Sequence, residues 1–287
     1  MPTHPIIDTH VHLWDPQLIR YPWLSEVPKL NRPYLLSDYR AAIQGVDVES
    51  MVFVQCDAQF SAFRQEAGWV AGLAKIEPRI EALVAWAPLE KGAAVREDLV
   101  DLKQHALLRG IRRIIQSEPD LEFCLRPAFL DGVRALQEFD LSFDICIDHR
   151  HLANVLRFVE RVPAVPMILD HIAKPDIRSG QLQPWGQQMR ELARFEHVCC
   201  KISGVATEAD HQHWTREQLK PYIELAVEAF GFDRVMFGGD WPVSTLAIRY
   251  AEWIDVLDEM LHGVDEADQR KSWHDNAARI YRIEGSA

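Results

Sequence analysis

The amino-acid sequence predicts an α/β protein of one domain, a (β/α)8 TIM-type barrel spanning residues 1–287. Three observations point there. Short apolar runs recur along the whole chain, their starts 24 (Ser142 to Pro166) to 45 (Ile6 to Met51) residues apart. Each interval has room for a strand, a helix and two loops. Helical patterns occupy several of the intervals, and nothing linker-like divides the chain. A doubly wound open sheet would want a glycine-rich phosphate turn after an early strand, and none is present.

The expected strands are, in order, "IIDTHVH" from Ile6, "MVFVQC" from Met51, "ALVAWAPL" from Ala82 and "GIRRIIQ" from Gly110. They continue with "SFDICID" from Ser142, "PMILDHI" from Pro166, "VCCKISG" from Val198 and "VMFGGDW" from Val235. Among the helices, "LSDYRAAIQG" starts at a Ser or Asp cap and stops at Gly45. "RPAFLDGVRALQEFD" and "HLANVLRFVERVP" place apolar residues three and four apart, the second ending before Pro163. "TREQLKPYIELAVEAFG" runs from a capping Thr215 to Gly231, with Pro221 marking a kink or the true start. The segment "PQLIRYPWLSEVPKLNRPYL" has four prolines and little periodicity, so it reads as a long loop after strand one, over the barrel mouth.

Composition narrows the partners. A net charge of −12, from 31 basic and 43 acidic residues, disfavours nucleic acid or an anionic membrane. No apolar run approaches the roughly 20 residues of a membrane span, and "MPTHPIIDTH" has no signal-peptide plan. Cys56, Cys124, Cys146, Cys199 and Cys200 share no CxxC spacing and lie mostly in apolar runs, as in a reduced, cytoplasmic protein. A small molecule is the expected partner. Oligomeric state is not readable, and a homo-oligomer stays open.

Barrel enzymes build their sites at the C-terminal ends of the strands. Strand one ends on His10 and His12, two apart and so facing one side. Strand two ends near Gln55 and Asp57, strand four on Arg112 and Gln116, strand five on Asp148, His149 and His151. Strand six leads to Asp170, His171 and Lys174, strand seven to Lys201 and Ser203, strand eight to Asp240 and Trp241. Each has an ordinary alternative: HxH is a common pattern, Asp170 can cap the next segment, and "FGGDWP" can be a turn. Their coincidence at the ends of strands one, six and eight favours a shared centre of His10, His12, His171 and Asp240, a donor set suited to one zinc. Lysines on inward strand ends are costly unless they bind something, which singles out Lys174 and Lys201. Trp14, Trp86 and Trp241 read as pocket walls or as core, and His151 as a residue near a helix start.

Taken together, "IDTHVHLWD" with "YPWL", "GIRRIIQSEPD", "LDHIAKP", "CKISGVATEAD" with "HWT", and "VMFGGDWPV" resemble the amidohydrolase superfamily (amidohydrolase family 2) over nearly the whole chain. The resemblance is to its sugar lactonase branch, which also holds 2-pyrone-4,6-dicarboxylate lactonase, and within it to the L-fucono-1,5-lactonase type. It implies a distorted barrel that hydrolyses a small lactone, with His10, His12, His171 and Asp240 as the centre. "GIRRIIQ" has no lysine or glutamate in a bridging position, which speaks against two metals. The resemblance further implies that one zinc can occupy such a site without being required.

On this reading water attacks the carbonyl of an L-fucono-1,5-lactone-like aldonolactone, with Asp240 as general base. The histidines, or a zinc they hold, polarise the carbonyl oxygen. Trp14, Gln55, Arg112, Gln116, Lys174, Lys201 and Trp241 are the expected substrate-binding residues. Rival readings are hydrolysis of a carboxylated pyrone or muconolactone, and metal-dependent decarboxylation. The pyrone reading would want several guanidinium groups, with Arg113, Arg150 and Arg178 as reserves.

Overall fold

The computed structural model describes residues 1–283. Eight parallel strands form one sheet in chain order: β1 (Ile6–Val11), β2 (Val48–Val54), β3 (Ile80–Ala85), β4 (Leu108–Arg112), β5 (Ser142–Ile145), β6 (Met167–Leu169), β7 (Val198–Ile202) and β8 (Val235–Phe237). A parallel bridge from Val11 to Trp241 joins the last strand's exit to the first, so the sheet curls into a barrel. All eight apolar runs are strands. The observed strands stop earlier than the apolar runs, which leaves their polar tails in the loops at the C-terminal mouth.

Helices α1 (Leu36–Ala42), α2 (Phe63–Leu73), α3 (Val95–Leu102), α4 (Pro127–Ala135), α5 (Leu152–Arg161), α6 (Trp185–Leu192), α7 (Arg216–Phe230) and α8 (Tyr250–Met260) follow the strands in turn. Two more, α9 (Glu266–Arg270) and α10 (Asn276–Tyr281), end the described chain. α7 begins at a capping box in which Thr215 and Gln218 satisfy each other's backbone N–H groups, so Pro221 lies inside the helix and does not start it. In α1 the expected cap shifts: Leu35 is the cap residue, and Asp38 reaches back to its N–H at 3.0 Å. The proline-rich segment after β1 folds as two short 3₁₀ turns, Pro22–Glu26 and Pro28–Leu30, pinned by an antiparallel bridge between Trp14 and Tyr34.

Two apolar clusters hold the barrel. The larger lies between strands and helices. The smaller fills the lower barrel with Ile7, Val52, Val54, Ala82, Val84, Ile168 and Met236, closed below by Tyr281 from α10. Above it the interior turns polar. All five cysteines are free and buried, and none of the described helices is long and apolar enough to cross a membrane.

Candidate active site

β1 positions its histidines through an irregularity. The ladder to β2 slips between Asp8 and Val11, so Asp8 turns outward to the helices while His10 turns into the barrel. The His12 backbone N–H donates to Trp241 O at 2.8 Å, bringing the end of β1 against the turn after β8. That turn carries Asp240 with φ 50°, a left-handed conformation unusual for a side chain other than glycine. After β6 the strain is longer: His171, Ile172, Ala173 and Lys174 all have positive φ. Such backbone concentrates where a side chain must be aimed, and here it aims His171 and Lys174 into the mouth. Gly204, after β7, makes room: a Cβ there would lie 2.7 Å from His171 Nδ1 and 3.1 Å from Asp240 Oδ2.

The four side chains expected to form the centre meet. Asp240 Oδ1 lies 3.7 Å from His12 Nε2, 3.9 Å from His10 Nε2 and 4.0 Å from His171 Nε2. His12 holds its Nδ1 at 2.7 Å from Val54 O, a carbonyl that only accepts, so its proton is on Nδ1 and its Nε2 lone pair faces Asp240. His171 Nδ1 shares a hydrogen bond with Ser203 Oγ at 2.9 Å. Burial pushes all three imidazole pKa values down, that of His171 to about 4, so the rings are neutral near pH 7. Burial works to raise the Asp240 pKa, but on acidification His171, His12 and His10 take up charge around it and hold its pKa below the usual carboxylate range, so the carboxylate is ionised near pH 7.

Beneath the centre lies a buried charged ring. Arg112 donates from Nη1 to His10 Nε2 at 3.1 Å and to Asp170 Oδ2 at 3.2 Å, and from Nη2 to Gln55 O at 2.6 Å. Lys201 donates to Asp144 Oδ2 at 2.6 Å and lies 3.1 Å from Asp170 Oδ1, while Tyr281 donates to the same Asp144 oxygen at 2.9 Å.

Above the centre opens a cavity of about 370 Å³ lined by His12, His171 and Asp240, with Trp14, Arg112, Gln116 and Lys174 from the expected binding set. Three expected binding residues are not on its wall. Lys201 is fully buried in the ring below, its charge spent on Asp144 and Asp170. Gln55 is buried behind the mouth, where its Oε1 accepts the Asp57 N–H at 2.6 Å. Trp241 packs on Tyr34 and Tyr39, outside the cavity. Trp86 likewise packs on Phe60 and Phe63. His149 and His151 are engaged by Lys174 O and Asp148 and lie off the wall. His10 itself lies beneath the floor, with no exposure.

The wall adds residues that motif reading did not name, chiefly Trp23, Ile114, Glu208, Val243 and Leu246. Trp23 comes from the proline-rich segment and is held by its indole N–H on Cys56 O at 2.8 Å. The "YPWL" motif was the only signal for it.

Among the described residues, two groups of donor atoms lie close enough to hold a metal ion, His10 with His12 and Asp240, and His10 with Asp170 and His171. Imidazole nitrogens with one carboxylate suit zinc. His12 fits best, its Nδ1–H fixed on a backbone carbonyl and its Nε2 free, as metal-bound imidazoles usually are.

Three neutral imidazoles and an ionised carboxylate at the strand ends of a barrel, under a walled cavity, define a hydrolytic type of site. The amidohydrolase family profile matches residues 7–283, and the chain belongs to that family of hydrolases. An L-fucono-1,5-lactonase from Burkholderia multivorans is 32% identical, the match covering 96% of each chain. An L-rhamnono-gamma-lactonase from Scheffersomyces stipitis is 24% identical over 99% of this chain and all of its own. A crystal structure of a Burkholderia multivorans amidohydrolase with bound zinc superposes with a TM-score of 0.89 at 31% identity, covering 98% of this chain and 100% of that one.

Proposed function

We propose that the protein hydrolyses a neutral sugar lactone, an aldonolactone of the L-fucono-1,5-lactone kind, in the cytoplasm. The observation that carries the chemistry is the convergence of three imidazole nitrogens on Asp240 Oδ1 at 3.7 to 4.0 Å, directly under the cavity. Lactonase relatives support the substrate class.

Water placed against Asp240 gives up a proton to its carboxylate as the oxygen attacks the lactone carbonyl carbon. The oxyanion forms beside the Lys174 ammonium, which stays charged despite burial because Glu208 and Asp240 are among the groups facing it. When the intermediate collapses, the ring C–O bond breaks and the proton held by Asp240 passes to the leaving alkoxide. The product is a hydroxy acid. A divalent ion, when bound, would add Lewis-acid polarisation of the carbonyl. His10, His12 and Asp240, whose donor atoms lie close enough together, would hold it.

Charge on the wall favours a neutral substrate over a carboxylated one. Lining cations are Arg112 and Lys174, against Asp57, Glu208 and Asp240. Arg112 is committed to Asp170, His10 and Gln55. The reserve arginines are turned elsewhere: Arg113 pairs with Glu90 and Glu118, Arg150 with Asp148, and Arg178 lines a neighbouring cleft. A dicarboxylate would meet one uncommitted ammonium among three carboxylates. Trp14, Trp23, Ile114 and Leu246 give the wall an apolar part suited to the carbon face of a sugar ring.

A pH-indicator assay over neutral aldono-1,4- and 1,5-lactones, beside pyrone dicarboxylate and muconolactone, tests the reading. Turnover of neutral lactones in preference to carboxylated ones supports it. Preference for the carboxylated compounds, or release of carbon dioxide, overturns it.

A further inference from the structure

We infer that the Arg112–His10 hydrogen bond controls the metal affinity of this site, by withholding His10 from a divalent ion. His10 is the shared member of both metal-capable donor groups, so whatever engages it weakens both. A metal needs the lone pair of an imidazole nitrogen, and a neutral ring has only one to give.

The contacts decide where that lone pair is. Arg112 Nη1, which can only donate, lies 3.1 Å from His10 Nε2. Nε2 is therefore the acceptor and the ring proton sits on Nδ1. There it faces Asp170 Oδ1 at 3.4 Å, a partner that accepts. The reverse tautomer would set Nε2–H against the guanidinium. Lys201 Nζ, also a pure donor, stands 3.4 Å from Nδ1. It turns its protons to the nearer Asp144 and Asp170 oxygens at 2.6 and 3.1 Å and so leaves Nδ1 its proton, while its ammonium bars a cation from that side of the ring.

Arg112 does not give way easily. It is nearly fully buried, spans three acceptors and keeps its charge. A divalent ion approaching His10 must break this bond and then sit beside a fixed positive group in a dry interior. His12 and His171 carry no such brake: each has its Nδ1 engaged and its Nε2 directed to Asp240. The natural site thus offers His12 and Asp240 to zinc, 3.7 Å apart, and completes a three-donor set with His10 only once Arg112 moves. The inference concerns the donor atoms and holds whichever lactone is opened.

Zinc Kd, measured by competition with a chromophoric chelator on metal-stripped protein, tests this through a mutant cycle of Arg112→Met, His10→Asn and the pair. Removing Arg112 should tighten zinc by about 10-fold or more, as outer partners of metal ligands commonly shift affinity by 10- to 100-fold. In the natural chain His10→Asn should change zinc Kd by less than about 3-fold, whereas in the Arg112→Met background it should erase the gain, the non-additivity expected of coupled residues. Zinc that binds Arg112→Met no more tightly than the natural protein overturns the inference. So does a loss above about 10-fold from His10→Asn alone, since that is the size of effect a direct ligand produces. If Arg112→Met does not fold, as circular dichroism would show, the His10→Asn result alone decides.

Discussion

The backbone N–H of Gly239 donates to Asp8 Oδ1 at 2.7 Å, and the same oxygen takes the N–H of His10 at 3.0 Å. One buried carboxylate thereby ties the strand that carries His10 to the turn that carries Asp240. Its other oxygen accepts from Tyr250 at 2.8 Å and Tyr39 at 3.1 Å, which anchors the join to α8 and α1.

Gly239→Ala should break this join. The added Cβ would stand 2.5 Å from Asp8 Oδ2 and from a Tyr250 ring carbon, closer than any real contact allows. Overpacking of this kind costs about 1–3 kcal/mol. Thermal melting should show the loss of stability, and lactone hydrolysis should fall with it as Asp240 shifts. Unchanged melting and turnover would mean the turn is freer than these contacts imply.

Glu77 makes stability depend on pH. Hydrogen bonds from Arg79, with help from Arg40 and against the pull of burial, lower its pKa from 4.5 to about 2. Because the folded pKa lies below the unfolded one, its stabilisation is complete above pH 4.5 and is lost as pH falls through about 2. Discounted for the half-exposed Arg40, it amounts to about 1–3 kcal/mol. Glu77→Gln should lower the urea midpoint at pH 7 and flatten its fall between pH 5 and pH 2. Parallel curves for the two proteins would remove Glu77 as the cause.

What could be read before the structure was mainly what chemistry dictates at strand ends. A histidine or carboxylate following an apolar strand has few reasons to be there, and His10, His12, His171 and Asp240 do converge. Depth was not readable. A lysine on an inward strand looks the same whether it lines a cavity or neutralises Asp144 and Asp170 below it, and Lys201 does the second. Gln55 and Trp241 misled for the same reason: periodicity gives the face of a strand but not the height along the barrel axis. Trp23 and Glu208 reach the wall from irregular segments, where no period exists to place them. The left-handed run at 171–174 has no glycine to announce it.

Lys201→Met should be strongly destabilising. It leaves Asp144 and Asp170 together in the barrel interior without the ammonium between them, and breaking such a buried pair costs about 3–5 kcal/mol. Adding Asp144→Asn removes one of the stranded charges and should recover part of the loss in urea unfolding. A double variant no more stable than Lys201→Met would show that packing, and not charge, sets the cost.

The central claim is that Asp240 takes the proton from attacking water. The most direct measurement is kcat for Asp240→Asn on a neutral aldonolactone that the natural protein turns over. Loss of a positioned base should lower kcat by about 10²- to 10⁴-fold, with the fold intact by circular dichroism. Turnover within a few-fold of the natural protein would contradict the account.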